Sequence, residues 1–161
     1  MELTQTHFGA GWVHLHIVIE NDEYYIEASS VTNDAIGDLL YAVIQLHKGS
    51  EKKLVTFYQE PGTHLWRLQR EDHQIIITRY ELDDFCTAGE ITKRNLDNTE
   101  PVGSFTTDLK TLTNQVIRLV SSFKSEPGIE GYRQEWGYRF PQNELTTLIE
   151  LRRNSNNDKQ N

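Results

Sequence analysis

Between residues 12 and 19 the apolar positions Val13, Leu15, Ile17 and Ile19 alternate with Trp12, His14, His16 and Val18. That period of two predicts a half-buried strand. Asn21-Asp22 reads as a two-residue turn. Pairing across it sets Ile19 opposite Tyr24, Ile17 opposite Ile26 and Leu15 opposite Ala28 on one face. The other face then pairs Val18 with Tyr25, His16 with Glu27 and His14 with Ser29. A slip of one residue would mix the two faces, so the hydrophobic pattern itself specifies the hairpin.

The period then changes. Ile36, Leu39, Leu40, Val43 and Leu46 (or Ile44) recur every three or four residues, which predicts an amphipathic helix. Thr32 or Asn33 is read as its N-cap, Asp34 as an acid in the positive first turn, and Gly49 as the residue that stops it. A three-stranded meander follows. The Glu60-Pro61-Gly62-Thr63 turn sets Phe57 opposite Trp66 and Val55 opposite Leu68. A second turn near Glu71-Asp72 sets Leu68 opposite Ile75 and Trp66 opposite Ile77. Pro-Gly favours a type II turn, which leaves room for a longer first loop.

Residues 83–103 are weakly patterned, with 90–96 as a candidate strand. Leu109, Leu112, Val116, Leu119, Val120 and Phe123 predict a second long helix over 107–124, capped at Thr107-Asp108 and ended by Pro127-Gly128. A linker over 129–140 leads to Pro141, which suits the first position of a third helix over 141–152, with Leu145, Leu148 and Ile149 inward. The sum is a single α+β domain over 1–152. Its antiparallel sheet of five to six strands is covered on one face by two long helices and a short C-terminal helix, in the order ββαβββ(β)αα. A tail over 153–161 has nothing apolar to bury and is expected to be disordered.

The bulk numbers sharpen this picture. The chain has 161 residues, 37% of them apolar, and a formal net charge of −8. Without a Lys/Arg cluster to neutralise phosphates, nucleic acid is excluded as a partner. A single cysteine, Cys86, suits a reducing compartment. The N-terminal segment lacks the basic n-region and apolar block of a signal peptide. No apolar run approaches the roughly 20 residues of a membrane span. A cytoplasmic protein is the expectation. The acidic balance suits a basic protein partner approached by electrostatic steering.

Candidate chemistry is sparse. His14 and His16 point to one side of a strand, and the pairing above puts Glu27 beside His16. With Trp12 and Tyr25 they make the outer sheet face a candidate small-molecule or metal site. No third histidine at motif spacing supports a metal, and the same residues suit a wet sheet face with a cross-strand His16–Glu27 pair. Asp34 and Asp38, four apart on the helix, could serve acid–base work, but the helix dipole already explains Asp34. Cys86 follows Asp83 and Asp84, whose charge would raise a thiol pKa, so it is an incidental thiol. Gly9-Ala10-Gly11 precedes a strand and is followed by no lysine, unlike a phosphate loop. Tyr132, Arg133 and Trp136, near Tyr138 and Phe140, would form a protein-binding hot spot if exposed, and a hydrophobic joint between the last helix and the sheet if buried.

Four segments carry a resemblance. Asp34-Ala35-Ile36-Gly37-Asp38-Leu39-Leu40, the Glu60-Pro61-Gly62 turn, Trp66-Arg67-Leu68 and Glu130-Gly131-Tyr132-Arg133-Gln134-Glu135-Trp136 resemble a signature shared by a family of small bacterial proteins. The resemblance spans most of residues 12–150 and implies no activity, cofactor or catalytic residue. In size, charge and class the chain also resembles immunity proteins of bacterial toxin systems. The sequence therefore points to a non-enzymatic protein-binding module without a cofactor. The alternatives are a ligand or metal site on the outer sheet face and a structural homo-oligomer.

Overall fold

The computed structural model describes residues 1–72, 74–83 and 96–157. Three strands, β1 (Glu2–Gly9), β2 (Trp12–Ile19) and β3 (Asp22–Ser29), form one antiparallel sheet in that order. Helix α1 (Ala35–His47) leads to a second antiparallel sheet of β4 (Lys52–Tyr58), β5 (Thr63–Glu71), β6 (Gln74–Leu82) and β7 (Gly103–Asp108). Helices α2 (Leu109–Ser125), α3 (Gly128–Trp136) and α4 (Gln142–Asn157) complete the chain.

The α+β class stands, with two sheets in place of one. Their inner faces share a single core with all four helices. Val13, Leu15, Ile17, Ile26 and Ala28 meet Val55, Trp66, Leu68 and Ile77 through the apolar stripes of α1 and α2. Tyr24 marks the junction, with the Arg79 guanidinium 3.7 Å from its ring centre and the Phe105 ring 6.2 Å away. The opposite face of the second sheet is not left wet throughout, since Leu65, Tyr80 and Leu82 are buried there with Leu96.

Each expected hairpin forms with its apolar face intact and its register moved by two residues. Ile17 faces Tyr24, Leu15 faces Ile26 and Val13 faces Ala28, because the turn is Glu20-Asn21, with Glu20 at φ +55°. Val55 faces Trp66, because the loop between β4 and β5 spans four residues, 59–62. Leu68 faces Ile77, across a turn that begins at Asp72, φ +52°. A shift of two keeps every side chain on its own face, so the apolar pattern tolerates it and turn geometry decides.

Three elements are additional. β1 escapes the period-two test because a bulge at Thr6 breaks it: Gln5 faces Leu15 and His7 faces His14, which puts both Leu3 and Phe8 inward. β7 has one large inward apolar residue, Phe105. α3 replaces the expected linker, with Tyr132 and Trp136 at i and i+4 facing the core. Gly131 fits there because a Cβ would sit 2.6 Å from Pro127 Cβ. α4 continues through Asn157, so the first residues of the expected tail extend it. The candidate strand over 90–96 and Cys86 lie outside the described residues, apart from Leu96, which opens a short 3₁₀ turn, Leu96–Asn98.

Gly9-Ala10-Gly11 is the β1–β2 turn, docked on the end of α3. Ala10 N donates to Glu135 Oε2 (2.8 Å) and Gly11 N to the Glu135 carbonyl (2.6 Å). Gly11 takes φ +80°, and Ala10 φ +51°, a left-handed pair that favours glycine. Glu135→Ala is expected to cost about 1 kcal/mol, measured by denaturant unfolding, since one charge-assisted bond at the surface is lost while the carbonyl contact remains.

Candidate protein-binding face

The outward positions of the first sheet follow from its register. β2 presents Trp12, His14, His16 and Val18; β3 presents Glu23, Tyr25 and Glu27; β1 adds Thr4 and, after the bulge, His7. All five residues expected on this face are there: Trp12, His14 and His16 are partly exposed, Tyr25 and Glu27 exposed. The two-residue register shift changes who faces whom. Tyr25 lies opposite His16, and Glu27 opposite His14.

Their geometry makes one preset group. The Tyr25 ring stacks on His16 at 4.6 Å and 11°, yet remains 57% exposed. His16 Nε2 lies 3.0 Å from Glu23 Oε2. A carboxylate accepts only, so this nitrogen carries the proton, and the bond fixes the imidazole under Tyr25. The result is an exposed aromatic held in one orientation before any contact is made, which lowers the ordering cost of binding. Beside it the His7 and His14 rings lie 4.8 Å apart, tilted by 50°. β1 brings His7 to this face. Among the described residues no three His, Cys, Asp or Glu side chains form a metal-binding group.

The electrostatics of this half are one-sided. Residues 1–47 contain Glu2, Glu20, Asp22, Glu23, Glu27, Asp34 and Asp38 and no Lys or Arg; the first basic residue is Lys48. Seven of the eight net negative charges therefore sit in the first sheet and the start of α1. Glu2 is paired with Arg118 at 3.1 Å, while Glu20, Asp22, Glu23 and Glu27 are exposed along the β2–β3 hairpin. Regional charge counting, which sequence reasoning omitted, would have found this.

The expected hot spot at Tyr132, Arg133 and Trp136 is not one surface. Tyr132 and Trp136 are fully buried and Arg133 is exposed. Phe8 of β1 packs on both rings, with centres 5.4 and 5.9 Å away. The pair belongs to a joint centred on Asp34, which is the N-cap of α1 in place of Thr32 or Asn33. Asp34 Oδ1 accepts from Gly37 N (3.1 Å), from Trp136 Nε1 (2.8 Å) and, at 3.5 Å, from the Tyr132 hydroxyl. Burial raises its pKa above the ordinary carboxylate value, against the opposing Trp136 bond. A Cβ at Gly37 would overlap the Asp34 carboxylate. The two longest signature segments are thus joined by one half-buried polar node. Asp38 is exposed and accepts from Asn33 Nδ2 at 2.8 Å. It lies with Asp34, Tyr41, Arg139 and Glu144 along a shallow cleft of about 250 Å³.

No protein-family model matches the sequence, and no curated protein matches it. Among solved structures the fold is similar to that of a chain in the CdiA-CT/CdiI toxin and immunity complex from Enterobacter cloacae. The TM-score is 0.51 and the identity 13%, over 74% of this chain and 97% of that one. At that identity the likeness is one of fold. No helix among the described residues is long and apolar enough to cross a membrane.

Proposed function

We propose that this chain is a non-enzymatic binding protein that docks a basic protein partner on the outer face of its first sheet, as an immunity protein covers a toxin. The observation that carries this reading is the Tyr25–His16–Glu23 stack within the first 47 residues, which have carboxylates and no Lys or Arg. The exposed Tyr25 supplies the anchor, and the carboxylates along the β2–β3 hairpin steer and select a cationic partner. The fold similarity to a chain of a toxin and immunity complex supports the same reading.

The homo-oligomer reading is disfavoured by the same charge. A two-fold contact through this face would bring the exposed carboxylates of the β2–β3 hairpin near those of the second copy, and like charges across an interface are costly. The metal reading lacks a third ligand among the described residues.

The test is affinity capture from a lysate of the source cells at low and high salt, with the solution mass measured alongside. The expected result is a monomer that retains one basic protein in stoichiometric amount and releases it as salt rises. A salt-resistant self-assembly, or a retained acidic protein, would overturn the proposal.

A further inference from the structure

A second site lies where α1 ends and α2 begins. A cavity of about 320 Å³ opens there beside the β5–β6 turn and the end of α4. That is the small end of the range for ligand pockets, roughly 300–1,000 Å³. Leu109 gives it an accessible apolar part over the buried Ile75, and Arg70, Lys110 and Arg152 stand on the lining with Asp72 and Asp108.

Those three cations are informative because of how they are held. Arg70 donates through Nη1 to the Leu46 carbonyl (3.2 Å) and through Nε to the Asp72 carbonyl (3.4 Å). Arg152 Nη1 donates to Asn114 Oδ1 (3.2 Å). Both guanidiniums are oriented by neutral acceptors, so their charge is not cancelled. None of the three cations makes an ion pair among the described residues. Of the two carboxylates on the lining, Asp108 is committed to capping α2. It accepts from Thr111 N (2.8 Å) and Thr111 Oγ1 (2.6 Å), bonds that hold it below the ordinary carboxylate range. Both carboxylates keep their charge, so among the described residues three bases face two acids and the lining is net positive by one.

His47 adds a defined polar wall. Thr113 is fully buried, and its hydroxyl donates to the Leu109 carbonyl at 2.6 Å. Its one proton is thereby used, so the 2.8 Å contact with His47 Nε2 requires the imidazole to donate. Burial, then the nearby Arg70, hold this imidazole below its ordinary pKa.

In a chain of net charge −8, a cavity lined by three cations against two carboxylates, with two of the cations oriented by neutral acceptors, suits an anion. We propose that this cavity binds a small amphipathic anion, with a carboxylate or phosphate head on Arg70, Lys110 and Arg152 and a compact apolar body on Leu109. The site is independent of the partner-binding face.

The experiment is an NMR titration of the intact chain with benzoate, phenyl phosphate and benzyl alcohol, read at His47 and Thr113. Saturable shifts are expected with at least one of the two anions, the stronger identifying the head group, and none with the neutral alcohol. Lys110→Gln breaks no contact in the structure. It is expected to weaken binding several-fold, and Lys110→Gln with Arg152→Gln to weaken it at least roughly tenfold. Absence of saturation with both anions overturns the proposal. So does equal binding of benzyl alcohol, or an affinity unchanged in Lys110→Gln.

Discussion

Asp34→Ala is expected to destabilise the domain by about 2–4 kcal/mol. An N-cap is worth about 1 kcal/mol, and a buried indole donor left without its acceptor costs about 1–3 kcal/mol more. Both losses arise from one carboxylate, which caps α1 and anchors Trp136 of α3. Asp34→Asn should be far milder, because an amide oxygen can accept the same bonds without a buried charge. The pH dependence has a definite sign. Burial raises the folded pKa above the ordinary 3.8, so the folded state holds this proton more tightly than the unfolded chain. The resulting stabilisation is complete below 3.8 and is lost as pH rises through the folded pKa. Asp34→Asn should abolish that portion of the pH profile. Denaturant midpoints of wild type, Asp34→Ala and Asp34→Asn from pH 3 to 8 check all three statements. A double-mutant cycle of Asp34→Ala with Trp136→Phe should couple by about 1 kcal/mol or more. Additivity in that cycle would remove the joint from the account.

Tyr25→Ala should leave stability within about 0.5 kcal/mol of wild type, because the ring is 57% exposed. It should weaken the captured partner by about 2 kcal/mol or more, near thirtyfold, as loss of a central aromatic anchor does. Glu23→Gln with Glu27→Gln should act mainly on the association rate, and the remaining binding should lose part of its salt dependence. Trp136→Ala should show the reverse, with stability falling by about 3–5 kcal/mol. Equilibrium unfolding measured beside surface-bound kinetics separates the two classes of variant.

Much of the fold was legible because the apolar pattern is strong where one face is buried. The stripes of α1 and α2 and the inward faces of β2, β3, β5 and β6 all read directly. What the pattern misses has a local cause in each instance. Registers moved by two residues because turn geometry, not hydrophobicity, chooses between pairings that preserve the faces. β1 hid behind the bulge at Thr6. α3 hid behind its glycines, although the i, i+4 spacing of Tyr132 and Trp136 was already present. The candidate face was legible in composition, in the outward His14, His16, Tyr25 and Glu27, but its geometry was not. That depends on His16 reaching diagonally to Glu23, a contact that the shifted register creates. The cavity at His47 draws its lining from four segments far apart in sequence, and such convergence leaves no local signal in a sequence.

The most direct measurement titrates the captured partner into isotope-labelled chain and follows its backbone and side-chain resonances. The account predicts that the largest shifts fall on Trp12, His14, His16, Tyr25 and Glu27, with the core resonances of Tyr132 and Trp136 little changed. Shifts concentrated on the cleft beside Asp34, or on α4, with the first sheet silent, would contradict it.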